Sequence, residues 1–518
     1  MENRGLTIIC AKLRCKEICM KRNSYILIVI VIIIVTLCSS LFAQEQLTVL
    51  HWNDFHSRNT PYYTKSKEDK IQVGGYATLA GYINSIRSQG KNVALVNAGD
   101  DFQGTPISAI TKGCSQIEIL NIIKPDVFTL GNHEFDYGKE KLYQAIAKAK
   151  FPIISANIFD KATGRLFVKP YLIKKYDKIK VGFIGLQTAN LKELSLPENV
   201  QQLEILNPEQ VVRKYISVIK DSVDIIIIVS HQGLDDDKKL AAAESGFQII
   251  IGGHSHTALF EPIEINDVII CQAGSQGKYL GVLDVFIDLK KKKIVNYKSH
   301  LIKTVVDSIS PDLLVQEKVD SLEQELSAVF DEVIGVLKSD WIRVFGFESN
   351  VGNWEADVMR EYAGTDFAFQ NSGGIRKNIS AGDITVRDMW ELNPFSNHFV
   401  TFEVTGIELR KLIEKNCDGE GEFLQVSGLK YVFNKSKPVG NRVVNIVMKN
   451  GELIKNNSTY TVCTNNFLTN HFYGVFGISP EGRKIKHLPK LDREVFIESV
   501  KKQKIIESFI EGRIVSKN

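Results

Sequence analysis

Two short stretches decide the fold of this chain: Gly-Asn-His-Glu-Phe-Asp at residues 131–136 and Gly-Gly-His-Ser-His at residues 252–256. Each follows a β-branched apolar run, at 127–130 and 248–251. Such runs are typical of strands that are buried on both faces of a sheet. Residue types that bind metals therefore lie where a strand gives way to a loop, and a rigid sheet can hold such side chains together.

Three more apolar runs end in the same way. In the stretch at 252–256, His254 and His256 stand at i and i+2, so both imidazoles would point the same way from an extended segment. Asp, His and Asn supply oxygen and nitrogen ligands, which suit Zn, Mn, Fe or Co and disfavour metals that prefer thiolates. The further runs lie at 47–51, 93–97 and 225–230, and they are followed by Asp54 with His56, by Asp100, and by His231.

The sequence also offers a bridging carboxylate. Two metals about 3.5–4 Å apart need one carboxylate that contacts both, together with separate ligands for each. Asp100 follows a strand in the turn at 98–101 and is the natural bridge. Its neighbour Asp101 is the alternative.

The distribution of strands and helices predicts an α/β chain of two domains. Residues 44–310 alternate strand-like runs with helical segments, which indicates a layered α/β domain. Within it, apolar alternation and glycines over Cys271–Asp288 predict hairpin strands that close the sheet. The predicted helices of this domain lie at 76–89, 139–149 and 208–219.

The sequence pattern changes at residues 311–333. Apolar residues recur there at helical spacing between charges, which predicts an amphipathic helix of about six turns. We interpret it as a linker helix, and the last helix of the first domain is the alternative. Residues 334–518 then form a second unit, with predicted helices near 352–361 and 493–503 and strands near 366–370, 399–404 and 460–464.

The N-terminal 43 residues are predicted to be a signal peptide. Basic residues precede an apolar run of 13 residues, Tyr25–Leu37, which is shorter than the about 20 residues of a membrane span. The small residue Ala43 suits cleavage, and Met20 is an alternative start. An uncleaved anchor and a lipoprotein acylated on Cys38 also stay open. We expect an exported protein, periplasmic, secreted or on the cell surface, without a stable membrane span after cleavage.

The net charge and the cysteine content exclude some classes of function. The whole chain has a formal net charge of +4, but residues 44–518 hold 58 basic and 58 acidic side chains. No nucleic-acid partner is therefore predicted. The cysteines after residue 43 lack Cys-x-x-Cys spacing, which argues against a cysteine-built zinc site and leaves their pairing open. They are Cys114, Cys271, Cys417 and Cys463.

Taken together, these segments resemble the calcineurin-like metallophosphoesterase superfamily and, within it, the secreted 5′-nucleotidase family. That family includes UDP-sugar hydrolases and cyclic-nucleotide phosphodiesterases. The resemblance implies an N-terminal four-layer αββα metallophosphoesterase domain, a linker helix and a C-terminal α/β substrate-binding domain. The matching stretches lie at 50–56, 98–106, 131–136, 230–233, 252–256, 272–281, 371–376, 393–397, 422–428 and 464–468.

The resemblance also implies two divalent metal ions, Zn or Mn, which would activate a water for attack on phosphorus. His133 would face the scissile phosphate, oriented by Asp136, for which a helix N-cap is the alternative role. Glu134 is interpreted as structural. One ion would be bound by Asp54, His56, Asp100 and His256, and the other by Asp100, Asn132, His231 and His254.

In the second domain, the resemblance implies a nucleotide-binding surface. A glycine pair beside Arg376 permits close backbone approach and bidentate phosphate contact. Asn371 and Arg376 would contact phosphate or ribose, and Phe395 and Phe467 would clamp a nucleobase, since stacking contributes roughly 1–3 kcal/mol per base. Burial of both rings in the core is the alternative.

Two positions depart from the family pattern. Tyr473 stands where the family has an Asp that holds the ribose hydroxyls, and Phe347 stands where some members have a phosphate-binding Arg. Both bear on nucleoside specificity and leave the metal residues untouched. The sequence thus predicts a dimetal phosphohydrolase with a small-molecule nucleotide substrate, most of all a 5′-nucleotidase. The alternatives are a cyclic-nucleotide phosphodiesterase, a UDP-sugar hydrolase or a sulfur-ester hydrolase on the same site, and a non-catalytic nucleotide-binding surface protein.

Overall fold

The computed structural model describes residues 44–64, 71–90, 92–419 and 421–517. The predicted signal peptide, residues 1–43, lies outside the described residues. Within the described ranges, no helix is long and apolar enough to cross a membrane.

The first domain is built on two stacked six-stranded sheets. In the first sheet, Gln44–Trp52 pairs in parallel with Val93–Asn97 and antiparallel with Tyr279–Asp288. Parallel pairing places the carboxyl ends of these strands at one edge. The strands in spatial order are Lys293–Lys303, Tyr279–Asp288, Gln44–Trp52, Val93–Asn97, Val127–Thr129 and Ile153–Ile154.

The second sheet packs face to face on the first. Val49 and Val96 of the first sheet share one hydrophobic core with Phe183 and Ile227 of the second. Both sheets are therefore buried on this face, which explains their β-branched composition. The strands of the second sheet in spatial order are Ile263–Ile265, Val268–Cys271, Ile249–Ile251, Ile225–His231, Ile179–Gln187 and Tyr171–Tyr176.

Helices cover the two outer faces, so the predicted four-layer αββα arrangement is confirmed. Pro208–Ile219 shows why such a helix forms: Asn207 accepts the Gln210 N–H at 2.9 Å, and Pro208 opens the first turn. Its apolar stripe packs on the second sheet. The helices are Tyr76–Gln89, Pro106–Thr111, Cys114–Ile123, Lys139–Ile146, Leu191–Leu194, Pro197–Val200, Pro208–Ile219 and Leu234–Ala243, and a small sheet holds Leu203–Ile205, Ile158–Asp160 and Arg165–Leu166.

A helix of 18 residues, Leu313–Phe330, follows the first domain. The Asp312 carboxylate caps it by accepting the Val315 N–H at 3.0 Å. Val315 packs in the core beneath the first sheet, and Phe330 packs in a core of the second domain. The helix is thus shorter than the predicted 311–333 and contacts both domains.

The second domain is a mixed α/β unit around a five-stranded sheet. Apolar side chains fill both faces: Ala368 and Phe399 belong to one core, and Phe369 and Phe402 to the other. The sheet contains, in spatial order, Leu424–Ser427, Phe367–Asn371, Thr459–Asn465, His398–Thr405 and Lys486–Leu491.

Helices and small sheets complete this domain. Gly382–Thr385, Val333–Leu337 and Ile505–Ile506 form one small sheet, and Val443–Met448, Leu429–Asn434 and Ile514–Lys517 form another. The helices are Asn350–Ala363, Val386–Leu392, Gly406–Asn416, Asn466–Asn470, Phe472–Phe476 and Asp492–Gln503.

The prediction of hairpin strands over Cys271–Asp288 is wrong. Val268–Cys271 lies in the second sheet, whereas Tyr279–Asp288 lies in the first. The segment between them crosses from sheet to sheet, with Gly274 and Gly277 at positive φ in the turn. Alternating apolar residues flanking glycines describe a crossover as well as a hairpin, so the pattern alone did not distinguish them. Cys114, Cys271, Cys417 and Cys463 are free thiols.

Candidate metal centre and substrate cavity

The loops that follow the strands carry unusual backbone conformations. Non-glycine residues rarely adopt positive φ, and such strain persists where the surrounding structure determines it, often at functional sites. Five of the predicted metal ligands share this conformation. They are Asp54 at 51°, His56 at 52°, Asp100 at 58°, His254 at 74° and His256 at 54°.

Asp54, His56 and His256 form one cluster of ligand atoms within 4.8 Å of one another. The Nε2 atoms of the two imidazoles lie 3.0 Å apart, and Oδ1 of Asp54 lies 3.2 Å from Nε2 of His256. The other oxygen, Oδ2, is fixed because it accepts the backbone N–H of His254 at 2.9 Å. Oδ1 is thereby held toward the imidazoles.

A second cluster joins Asp100, His231 and His254. Nδ1–H of His231 donates to the Ala98 carbonyl at 2.6 Å, so Nε2 is directed at Oδ2 of Asp100, 3.0 Å away. Burial lowers the pKa of His231, but the Asp100 and Asp54 carboxylates overcome that effect and raise it to about 10. Asp100 also belongs to a third cluster, with His56 and His133. A carboxylate shared between clusters is what a bridging ligand requires.

The Asp101 carboxylate is engaged outside the metal-ligand clusters. Its carboxylate accepts hydrogen bonds from the Tyr76 hydroxyl and the Asn97 amide, and it is fully buried. Burial and the nearby acids Glu134 and Asp54 raise the pKa of Asp101 well above its usual range. The geometry thus favours Asp100 over Asp101 as the bridge.

The residues present fit a site for divalent cations. Buried polar atoms almost always have hydrogen-bond partners, and one left without a partner costs about 1–3 kcal/mol. Oδ1 of Asn132 is buried and has no hydrogen-bond partner within the described part of the chain, and Oδ1 of Asp54 and Nε2 of His231 are buried against other candidate ligands, His256 at 3.2 Å and Asp100 at 3.0 Å. Each is an atom type that ligates Zn or Mn.

His133 is oriented as the sequence predicts. Its Nδ1 lies 2.7 Å from Oδ2 of Asp136, so Nδ1–H donates to that carboxylate and Nε2 is left for another partner. Burial lowers the pKa of His133, but Asp136 and Asp100 outweigh it and raise the pKa above its usual value. The alternative role of Asp136 as a helix N-cap is wrong, because Gly138 occupies that position before Lys139–Ile146.

Glu134 is structural, as the sequence interpretation holds. It is buried, and its carboxylate accepts the backbone N–H groups of Asp100 at 3.0 Å, Asp101 at 2.8 Å, Phe102 at 3.1 Å and Gly131 at 2.6 Å. These bonds tie the loop that carries Asp100 to the loop that carries Asn132 and His133. Such anchoring holds the candidate ligands in place.

A cavity of about 360 Å³ opens between the domains beside the metal-ligand clusters. Arg376 reaches into it from the second domain, with Nη2 3.4 Å from Nε2 of His56 and its guanidinium 5.9 Å from the centre of the Phe395 ring. The predicted site residues that line the cavity are Asp100, Asn132, His133, Asp136, His254, His256, Asn371, Arg376, Phe395 and Phe467. Asp54, His56 and His231 lie behind this wall in the clusters described above.

Phe395 and Phe467 are both half-buried on the cavity wall, and Phe467 also packs against a core of the second domain. Tyr473 does not line the cavity; its side chain is 70% exposed. Phe347 also lies outside the cavity, and Lys435 packs over its ring at 4.9 Å. Neither Tyr473 nor Phe347, the two departures from the family pattern, therefore contributes to the cavity wall.

Several further lining residues had no role predicted from the sequence. Leu194, Leu196, Phe345 and Glu422 belong to the cavity wall. Leu194 and Leu196 carried no signal, because they lie at the ends of two helices of four residues each, too short to show a periodic pattern. Phe345 stands two residues before the noted Phe347, and Glu422 opens a noted motif, but neither had a role predicted from its type.

Residues 47–258 match the family model of calcineurin-like phosphoesterases, and residues 333–478 match that of the 5′-nucleotidase C-terminal domain. The fold and metal-ligand clusters thus define a metallophosphoesterase, a class of hydrolases that uses divalent metals. More narrowly, the chain belongs to the 5′-nucleotidase family.

Individual relatives agree with this assignment. The 5′-nucleotidase of Bos taurus is 30% identical over 537 residues, which covers 90% of each chain. The crystal structure of a 5′-nucleotidase precursor from Thermus thermophilus superposes with a TM-score of 0.85 at 30% identity, covering 92% of this chain and 100% of that one. Endonuclease YhcR of Bacillus subtilis is 28% identical, but this chain spans only 37% of its length.

Proposed function

We propose that this protein is an exported 5′-nucleotidase that hydrolyses nucleoside monophosphates to nucleoside and phosphate. The observation that supports this proposal is the cavity of about 360 Å³ between the domains, which joins the metal-ligand clusters and His133 to the aromatic pair Phe395 and Phe467. A phosphate at the clusters and a base between the rings would occupy one continuous space.

The proposed centre holds two divalent ions, Zn or Mn. When bound, such ions supply Lewis acidity and a water of lowered pKa. The clusters around Asp54 and around Asp100 support two positions that share one carboxylate. We assign Asp54, His56, Asp100 and His256 to one ion and Asp100, Asn132, His231 and His254 to the other.

The remaining residues bind and orient the substrate. His133, held by Asp136, presents Nε2 to donate a proton to the leaving oxygen. Arg376 supplies positive charge and Asn371 an amide donor beside the reacting phosphate. The two phenylalanine rings stack on the base, and closure of the domains excludes water. We place the domains at 44–310 and 334–518, with the linker segment 311–333, which contains the helix Leu313–Phe330, between them.

A substrate panel tests the proposal. Residues 44–518, loaded separately with Mn and Zn, are assayed for phosphate release from AMP, UMP, UDP-glucose, 2′,3′-cyclic AMP and an aryl phosphate. We expect nucleoside monophosphates to have the highest kcat/KM. Preference for UDP-glucose or the cyclic nucleotide would replace the nucleotidase assignment by the corresponding alternative, and turnover of the aryl phosphate alone would contradict nucleotide recognition.

The aromatic pair makes a second prediction. Phe395→Ala and Phe467→Ala should each raise KM for AMP about tenfold, because stacking contributes roughly 1–3 kcal/mol per base. KM for an aryl phosphate too small to reach both rings should change little. Phe347→Ala is the matched control, since this exposed ring lies outside the cavity. Equal effects on both substrates would show that the rings support the fold and do not clamp a base.

A further inference from the structure

A second cavity, of about 320 Å³, lies beside the first. The two cavities share only His256 and Arg376 among their described lining residues, so these two side chains form the wall between them. Residues from both domains enclose the second cavity, as they do the first. Its remaining described lining residues are Arg58, Tyr62, Tyr63, Thr64, Ala258, Gly274, Ser275, Gln276, Lys278, Tyr279, Arg343, Lys377 and Asn378.

The wall of this second cavity is strongly basic. Five Lys and Arg side chains line it, and no Asp or Glu does so among the described residues. Low-dielectric walls of one charge sign attract ions of the opposite sign. The five are Arg58, Lys278, Arg343, Arg376 and Lys377.

Two of these cations are already balanced. Glu391, behind the wall, pairs with Arg58 and lies 2.8 Å from Nζ of Lys377. Nζ of Lys377 also lies 2.7 Å from Asp388. Burial raises the pKa of Glu391, but Arg58 and Lys377 overcome that effect and lower it to about 2, so it is a stable carboxylate.

The other three, Lys278, Arg343 and Arg376, form no ion pair with a carboxylate of the described chain. Arg343 is held by a bond from Nη1 to the Ile375 carbonyl at 3.2 Å, next to Arg376 in sequence. Burial and the charge of Arg376 lower the pKa of Arg343 to about 10. Asp100 and Asp136 attract Arg376 from the side of the metal-ligand clusters. Arg343 has no such counter-charge among the described residues, which is costly for a charge beside a like charge, and an anion in the second cavity would supply it.

Neutral donors complete the surroundings. Nε of Arg58 is buried and has no hydrogen-bond partner within the described residues. Tyr62, Ser275 and Asn378, whose side chains carry hydroxyl and amide donors, line the same cavity. Tetrahedral oxyanions are bound by several N–H and O–H donors around guanidinium groups, which match their geometry.

We propose that the second cavity is a phosphate-binding site distinct from the metal centre. It binds a phosphate group through Lys278, Arg343 and the far side of Arg376. The group is either the orthophosphate product after it leaves the metal centre or a second phosphate carried by the substrate next to the reacting one. The link to catalysis rests on the proposed function, whereas the binding of orthophosphate does not.

The test uses the metal-loaded protein and the variants Lys278→Gln and Arg343→Gln. Orthophosphate binding is measured by calorimetry, and its inhibition constant is measured against turnover of an aryl phosphate. We expect each variant to weaken a second orthophosphate site about tenfold, as for loss of one hydrogen bond to a charged group. Lys161→Gln is the control, because it removes the same charge from an exposed lysine that lines neither cavity.

The two sources of the phosphate give different results. If the site serves the product, the inhibition constant of orthophosphate rises in both variants while kcat/KM for AMP stays within about twofold. If it serves a second phosphate of the substrate, kcat/KM for ADP falls about tenfold relative to AMP. Unchanged orthophosphate binding together with an unchanged ADP-to-AMP ratio in both variants would overturn the proposal.

These measurements distinguish a failure of the phosphate-site proposal from a failure of the proposed function. A protein that does not hydrolyse nucleotides still reports orthophosphate binding by calorimetry, so the cavity is tested even if the proposed function is wrong. Turnover of the aryl phosphate by each variant shows that it is folded. Two variants on different domains also guard against a local effect of either substitution.

Discussion

Replacing Asp100 with asparagine is expected to remove bound metal and to lower kcat/KM by at least about a thousandfold. Asp100 belongs to two clusters of candidate ligands, so both of the proposed metal positions would depend on its charge. A two-metal centre supplies several kcal/mol of charge stabilisation, and each 1.36 kcal/mol corresponds to a factor of ten in rate. Metal content by mass spectrometry and phosphate release from an aryl phosphate are the measurements.

The asparagine variant is a clean substitution because the local fold has little reason to change. Oδ1 of Asp100 accepts the His133 N–H at 2.9 Å, which an amide oxygen can also do. Asp101→Asn is the matched control: its carboxylate bonds to Tyr76 and Asn97 and lies outside the clusters of the described residues. Metal retained by the Asp100 variant and lost by the Asp101 variant would reverse the assignment of the bridge.

Much of the fold follows from the sequence because the strands and helices are strongly patterned. The predicted strand Val93–Asn97 and the predicted helices Tyr76–Gln89 and Pro208–Ile219 coincide with the observed elements. Their apolar residues recur with the period of the element, and Pro208 marks a helix start. Over Cys271–Asp288 the pattern fits two topologies, and pairing with the distant strand Gln44–Trp52 decides between them.

The candidate site likewise has parts that the sequence predicts and parts that it does not. His133 and Asp136 are three residues apart, so their contact is local and readable from the sequence. The second cavity is not readable in this way, because Lys278 lies in a matching stretch that predicts no role for it and Arg343 lies outside every matching stretch. Only the packing of the second domain against the first brings them onto one wall. Sites built from single residues of two domains have no local sequence signature.

His133→Ala is expected to lower kcat for AMP by about 10²–10⁴-fold, the usual contribution of a general acid, without loss of bound metal. The side chain lines the cavity, and its Nδ1–H is fixed by Asp136, which leaves Nε2 to donate to the leaving oxygen. Asp136→Asn should have a smaller effect of the same kind, since it weakens the orientation and keeps the imidazole. Steady-state kinetics and metal analysis of both variants check this.

The leaving group separates proton donation from a structural role. A nucleoside leaves as a strongly basic alkoxide that needs a proton, whereas an activated aryl phosphate releases a weakly basic phenolate. The His133 variant should therefore lose far more activity on AMP than on the aryl ester. His300→Ala, on an exposed edge-strand position, is the control for histidine loss. An equal loss on both esters would contradict proton donation and would leave His133 with stabilisation of the phosphoryl oxygens, which acts on every substrate alike.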